Sequence, residues 1–318
     1  MTFYISWGRI IVCRPEVIVL NVGIGKITLD NPTMLAAGIM GSAASSLRRV
    51  MSYGAGAVVT KSIGLLPREG HPGPVLAEVT GGYLNALGLP NMGLAFLEEL
   101  EILSAEDERK PIIVSIFGDC PTDFVELAEK FCQYADALEL NLSCPHAQGY
   151  GIEVGSEPAA VEAITNSLSK HVDLPIWVKL TPNVTDITAL GQAAEKGGAD
   201  AVVAINTVKG MVIDVESARP VLGNVFGGLS GSAIKPIAVK CVYDLYSALT
   251  IPVIGVGGIS NYEDVLEFIM AGARAVQIGS AVARDLSIFE HVAVGIDRYL
   301  APKGLTLEDV VGIAHKSY

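Results

Sequence analysis

Where the apolar runs of this chain stop, the next residues are repeatedly lysine, asparagine, a small hydroxyl or glycine, and once cysteine. The run Asn141-Leu-Ser-Cys-Pro145 puts Cys144 just past a predicted strand end, in a loop that continues through Gly149 and Gly151. Most cysteines are small, inert hydrophobes; a thiol in such a loop is instead placed to act as an acid or base. Lys61 and Lys179 close two other apolar runs. Lysine is seldom fully buried without a partner, so two inward cations in an acidic chain point to a ligand that is anionic or gains negative charge on reaction, as a flavin does. Asn85-Ala-Leu-Gly-Leu-Pro-Asn91, Asn141 and Asn206 offer donors and acceptors together, which suits an imide or amide edge. Gly255-Val-Gly-Gly-Ile259 and Ile278-Gly-Ser280 read either as tight turns or as backbone that can approach a phosphate. Both motifs close the last two strands, which favours the phosphate. His71, His146, His171, His291 and His315 show no metal-ligand spacing. Cys144 with His146 lacks the oxyanion-binding residues that a nucleophile pair would need.

Positioning these residues requires a framework that brings many strand ends to one face. Candidate strands are 33–37, 57–61, 112–117, 137–141, 176–179, 201–206, 253–256 and 275–278. They are rich in Val, Ile and Ala without polar alternation, as in parallel strands covered on both sides. Helical patterns occupy 45–52, 122–134, 158–170, 186–196, 234–248, 262–271 and 287–300. Asp186, Asn261 and Ser287 mark starts, and Gly54, Gly197 and Gly272 mark stops. Eight strands with intervening helices predict an α/β fold, a (β/α)8 TIM barrel. A doubly wound open sheet is the rival, but no early dinucleotide fingerprint accompanies the repeat. Residues 17–29 read as an N-terminal hairpin that closes the barrel bottom, and 1–16 as a loosely attached extension. The connections 63–110 and 208–233 are long enough to shape a pocket over the C-terminal face. No low-complexity linker divides the chain, so 1–318 reads as one domain.

Composition excludes several classes. A net charge of −12 argues against a general phosphate-backbone binder. The five cysteines, at 13, 120, 132, 144 and 241, lack the spacing of a disulfide framework, a zinc site or an iron–sulfur site. A reducing cytoplasm fits that usage. The apolar stretch 10–24 is broken by Arg14, Pro15 and Glu16, so neither a spanning helix nor an export signal is read there.

With these residues in order, the chain resembles class 1, cysteine-type dihydroorotate dehydrogenases along 17–300. The phrases that carry the resemblance are Asn-Ala-Leu-Gly-Leu (85–89), Asn-Leu-Ser-Cys-Pro (141–145) and Val-Lys-Leu-Thr-Pro (178–182). Ile-Asn-Thr (205–207), Gly-Gly-Leu-Ser-Gly-Ser-Ala-Ile-Lys-Pro (227–236) and Gly-Val-Gly-Gly-Ile (255–259) complete them. The resemblance implies an FMN-dependent enzyme that oxidises dihydroorotate to orotate in pyrimidine synthesis, with Cys144 as the base that removes the C5 proton. It implies substrate contacts at Lys61, Asn85, Ala86, Leu87, Gly88, Leu89, Asn141, Asn206 and Thr207. It implies flavin contacts at Ala37, Gly38, Lys61, Ser62, Ser115, Asn141, Lys179, Ile205, Gly231, Gly257, Gly258, Gly279 and Ser280.

Four positions depart from the family pattern. Ser115 stands where asparagine is common, Ala37 and Ser280 replace frequent serine and threonine, and His146 follows Cys-Pro in place of asparagine. The segment 205–246, with Gly-Met-Val-Ile-Asp (210–214), is most similar to the NAD-linked subclass. That subclass implies a homodimer that joins a separate subunit bearing FAD and an iron–sulfur cluster; a soluble acceptor such as fumarate is the alternative. Rival functions are a dihydropyrimidine dehydrogenase acting on uracil-like rings, a flavin electron-transfer subunit without substrate chemistry, and a phosphate-binding barrel without flavin. Neither nucleic acid nor membrane is expected as a partner.

Overall fold

The structure, a computed structural model, describes residues 5–6, 9–10, 20–105, 109–142 and 154–316. Cys144, His146, Gly149 and Gly151 lie outside the described residues, as do 17–19 of the expected hairpin.

Eight parallel strands close into a barrel in chain order: β1 (Thr33–Leu35), β2 (Ala57–Val59), β3 (Ile112–Ile116), β4 (Ala137–Asn141), β5 (Ile176–Leu180), β6 (Ala201–Ala204), β7 (Val253–Val256) and β8 (Ala273–Ile278). Pairing of β8 with β1, Val276 opposite Thr33, closes the ring. The strands are buried along nearly their whole length because side chains pack inward on one face and against helices on the other. That two-sided burial is why they lack polar alternation in sequence.

Helices α1 (Ala44–Ser52), α2 (Leu97–Ser104), α3 (Pro121–Phe131), α4 (Pro158–Ser169), α5 (Ile187–Lys196), α6 (Lys235–Ala248), α7 (Tyr262–Met270) and α8 (Ile288–Leu300) cover the outside. The Asp186 carboxylate accepts from Thr188 N and Ala189 N, and Asn261 accepts from Asp264 N, so both starts are capped as the residue types predict. Ser287 differs: its hydroxyl donates to Asp285 and does not cap α8. The stop after α5 also differs, since Gly198 takes the positive φ (95°) while Gly197 packs tightly against Thr165 and Glu162. The helix α2 inside the first long connection is masked in the sequence, because its apolar positions follow a turn-rich stretch.

At the barrel bottom, Val22–Ile24 pairs antiparallel with Ile27–Leu29. Val22, Ile24, Ile27 and Leu29 are buried, and Gly23 O accepts from Arg274 Nε at the start of β8. At the top, the two long connections join into one structure. Leu76–Val79, Gly82–Asn85, Gly227–Ser230 and Val208–Gly210 form a four-stranded antiparallel sheet beside the barrel mouth. No helix among the described residues is long and apolar enough to cross a membrane.

Candidate active site

A cavity of about 560 Å³ opens at the carboxyl ends of the strands, beneath the four-stranded sheet. Ligand pockets commonly span ~300–1,000 Å³. Ala37 and Gly38 follow β1, Lys61 and Ser62 follow β2, and Asn141 ends β4. Lys179 projects from β5, Ile205, Asn206 and Thr207 follow β6, Gly257 and Gly258 follow β7, and Gly279 and Ser280 follow β8. The sheet above adds Asn85, and the loop that follows it adds Ala86, Leu87, Gly88 and Leu89; Gly231 sits at the start of the turn into α6. These expected contacts therefore surround one space. Ser115 is the exception among the described ones: it is fully buried and does not line the cavity. Its hydroxyl lies 2.9 Å from that of Ser62, so it supports the wall from behind. Ser62 therefore stands between Ser115 and the cavity.

Hydrogen bonds fix the orientation of the polar groups. Asn206 Nδ2 donates to Asn141 Oδ1 (3.3 Å), and Asn141 Nδ2 donates to Ser62 Oγ (3.1 Å). Asn206 Oδ1 accepts from Thr207 N at 2.8 Å. Each amide thus has its oxygen and nitrogen assigned by a neighbour, leaving the remaining donors and acceptors at defined positions. Asn85 Nδ2 donates to Gly228 O (3.1 Å), which ties the loop after Asn85 to the second connection. The loop turns on two residues of positive φ: Gly88 (74°) adopts it freely, while Leu89 (56°) is held in a region that L-residues rarely take.

The two lysines differ in surroundings. Lys61 is half-buried, and its ammonium meets no carboxylate among the described residues. Burial pushes its pKa below the ordinary lysine value. Such a cation gains from an anionic ligand that replaces the lost hydration. Lys179 is 6% exposed and is held by Glu139 Oε1 (3.4 Å) and Gln277 Oε1 (3.2 Å).

The glycines at the end of β7 let neighbouring segments pack close against the strand end. Gly257 and Gly258 have φ of 136° and 73°, and a Cβ at Gly258 would stand 2.7 Å from Gly231 O and 2.8 Å from Lys235 Cβ. Gly38 has open space where its Cβ would project, and Gly279 meets only Ala36 Cβ at 3.6 Å. Lys235 bonds Asp264 (2.7 Å) and Glu267 (2.7 Å), joining α6 to α7 around this glycine turn. Hydrogen bonds that its ammonium donates to Asp264 and Glu267 raise the Lys235 pKa. Burial pushes the Asp264 carboxyl up, but bonds from Lys235 and Ser260 outweigh it and hold the pKa below its ordinary value.

Several cavity residues were not singled out from sequence: His71, Tyr83, Thr181, Asn183, Lys209 and Gln277. Asn183 accepts from Lys209 N (2.9 Å) and donates to Thr207 O (3.1 Å), so it braces the segment after β6. Gln277 carried a usable signal, a long polar side chain inside an otherwise apolar run. His71 and Tyr83 carried none, because only the sheet over the mouth brings them near.

Comparison with known proteins agrees with this geometry. Residues 19–300 match the family model described as dihydroorotate dehydrogenase. The chain is 57% identical over 294 residues to the protein from Methanosarcina mazei named dihydroorotate dehydrogenase B (NAD(+)), catalytic subunit, covering 91% of this chain and 93% of that one. A protein of the same name from Methanocella arvoryzae is 55% identical over 293 residues, covering 92% and 96%. One from Pyrococcus abyssi is 51% identical over 300 residues, covering 93% and 99%. Among solved structures, the DHODH of Eimeria tenella in complex with ferulenol superposes with a TM-score of 0.83 at 23% identity, over 96% of this chain and 91% of that one, which speaks for the barrel fold. With its barrel, its strand-end residues and relatives at this identity over nearly full length, the chain belongs to the dihydroorotate dehydrogenase family, whose members are flavin-dependent enzymes.

Proposed function

We propose that this protein oxidises dihydroorotate to orotate in pyrimidine synthesis, using FMN as its flavin. The observation that carries the reading is the convergence of Lys61, Asn85, Asn141, Lys179 and Asn206 on one cavity at the carboxyl end of the barrel. The cavity fits FMN on three counts. Uncovered backbone at Gly38 and Gly279 admits a flat ring, the glycine turn at 257–258 offers backbone to a phosphate, and Lys179 supplies positive charge in the floor. When bound, FMN supplies the two-electron acceptor for the hydride that leaves C6 of the substrate.

The chain's own residues do the rest. Lys61 meets the substrate carboxylate, and its partly desolvated charge makes that contact stronger than in water. Asn85, Asn141, Asn206 and Thr207 orient the ring through its carbonyl and N–H edges, with their amides preset by the bonds described above. Ala86 to Leu89 pack over the substrate and keep water out. Cys144, three residues beyond Asn141, removes the C5 proton, which the adjacent C4 carbonyl makes acidic. Ala37, Ser62, Ile205, Gly231, Gly258 and Ser280 hold the flavin, with Ser115 behind Ser62.

The names of the relatives support a catalytic subunit that works with an electron-transfer partner. We propose that the partner carries FAD and an iron–sulfur cluster and passes electrons to NAD, since the five cysteines of this chain lack cluster spacing. The working assembly is a homodimer of this chain with that subunit, in the cytoplasm.

Steady-state assay with a dye acceptor tests the substrate. Dihydroorotate should be turned over, and dihydrouracil should not. Activity on dihydrouracil with none on dihydroorotate would overturn the assignment. Replacement of Cys144 by Ala should remove the alkaline limb of flavin reduction and slow it at least ~100-fold at neutral pH. An unchanged rate and pH profile would remove Cys144 from its role.

A further inference from the structure

Three polar side chains from three strands meet inside the barrel just below the cavity. Glu139 of β4 and Gln277 of β8 are fully buried, and Lys179 of β5 is 6% exposed. Lys179 Nζ donates to Glu139 Oε1 (3.4 Å) and to Gln277 Oε1 (3.2 Å), and Gln277 Nε2 donates to Glu139 Oε2 (2.6 Å). The ring is closed, and each heavy polar atom in it has a partner. Lys179 and Gln277 line the cavity; Glu139 does not.

A buried ion pair is a poor device for stability, because desolvating both charges costs about what their attraction returns. Barrel interiors are ordinarily filled by branched aliphatic side chains at no such cost. The trio has instead a geometric product. An ammonium has three donors, and two of those on Lys179 are committed to Glu139 and Gln277, so the third is aimed at the cavity from a fixed point. It also has an electrostatic product. Lys179 alone would place a full positive charge in the floor, and the carboxylate behind it offsets part of that field.

We propose that Glu139 is a positioning residue that acts through Lys179, fixing its ammonium in the cavity floor and holding down the electron affinity of the bound flavin. The proposal rests on the flavin reading above and adds to it a second charge that the ligand does not touch. Its chemical sense lies in electron transfer: a flavin made too easy to reduce would accept electrons from the substrate and keep them.

The test compares wild type, Glu139→Gln, Lys179→Met and the double variant, each purified and saturated with FMN. Sulfite, an anion that adds to oxidised flavin, is titrated by loss of flavin absorbance, and the two-electron potential is measured by equilibration with a reference dye. Neutralising one charge a side chain's length behind the cavity wall, at an effective dielectric of about 20, changes such an equilibrium on the order of tenfold. Glu139→Gln is therefore expected to bind sulfite about tenfold more tightly and to raise the potential by about 30 mV. Lys179→Met is expected to move both in the opposite direction. A merely structural glutamate would lower thermal stability and leave sulfite affinity unmoved, and that result would overturn the proposal.

Should Glu139→Gln fail to fold, the double variant removes the buried charges as a pair, which interiors tolerate. It is expected to bind sulfite more weakly than wild type, because the nearer charge is the ammonium, and more tightly than Lys179→Met, because the offsetting carboxylate is gone; affinity and potential equal to those of Lys179→Met would overturn the proposal. Wild-type protein that takes up no FMN overturns the flavin reading and this inference with it. Wild type that binds FMN while Glu139→Gln keeps its potential overturns this inference alone.

Discussion

Gly258→Ala is expected to loosen the flavin more than it should for so small a change. Position 258 sits at φ 73°, and a Cβ there would stand 2.7 Å from Gly231 O, 2.8 Å from Lys235 Cβ and 3.0 Å from Lys235 N. The left-handed backbone costs an L-residue about 1–2 kcal/mol. The contacts add about 1–3 kcal/mol, because two of the three atoms are backbone and cannot swing aside. Relief comes by moving the Gly231 turn and the start of α6 away from β7, and this turn is also the proposed phosphate cradle. Gly304→Ala is the control: its φ is 63°, but nothing lies within 4 Å of the added Cβ. Chemical denaturation should give a loss of about 2–5 kcal/mol for Gly258→Ala and about 1–2 kcal/mol for Gly304→Ala. Ultrafiltration with fluorescence of released flavin should show a dissociation constant raised at least ~10-fold for Gly258→Ala, the equivalent of about 1.4 kcal/mol, and unchanged for Gly304→Ala. Equal losses of stability in the two variants, with flavin affinity unchanged in both, would refute the reasoning from close approach.

Further expectations concern charge and orientation. Lys61 has its pKa lowered by burial, so an anionic substrate gains from its charge only below that lowered value; orotate affinity should fall as pH rises through it, earlier than an ordinary lysine would allow, and a Lys61→Met variant should lose this alkaline limb. The same variant should lose ~10- to 100-fold in kcat/KM, the value of a hydrogen bond to a charged group. Asp264 has a folded-state pKa below its unfolded value, so its contribution is present above the unfolded value and is lost as pH falls through the folded one. Asp264→Asn should therefore flatten the acid limb of a stability-versus-pH curve and cost about 1–3 kcal/mol at neutral pH. Asn85→Ala should raise KM for dihydroorotate several-fold with a smaller effect on stability, about 1 kcal/mol for the lost bond to Gly228 O.

The barrel was legible because each strand is a short apolar run and most helices begin or end on a residue with a specific backbone role. Asp186 and Asn261 cap as their types require. The strand-end residues were legible for the same reason: a lysine at 61 or 179, next to an apolar run, has nowhere to go but inward. Ser115 shows the limit, because side-chain reach, not position in the run, decides whether a residue meets the cavity or its neighbour. The four-stranded sheet was not legible. Its strands come from connections more than a hundred residues apart, and Gly82–Asn85 and Gly227–Ser230, at four residues each, are too short to show a period. Glu139 carries no signal in sequence, because one acidic residue in Ala-Leu-Glu-Leu-Asn is ordinarily a surface position; only the closure of the barrel brings it to Lys179 and Gln277.

On the proposed function, one cavity holds both the flavin and dihydroorotate, and that co-occupancy decides whether the reading stands. It is tested most directly by mixing the purified, FMN-loaded protein with dihydroorotate under anaerobic conditions and following flavin absorbance and orotate together. The flavin should bleach in a single turnover, with one orotate formed per flavin reduced. A flavin that stays oxidised under saturating dihydroorotate, in protein that binds FMN normally, would contradict it.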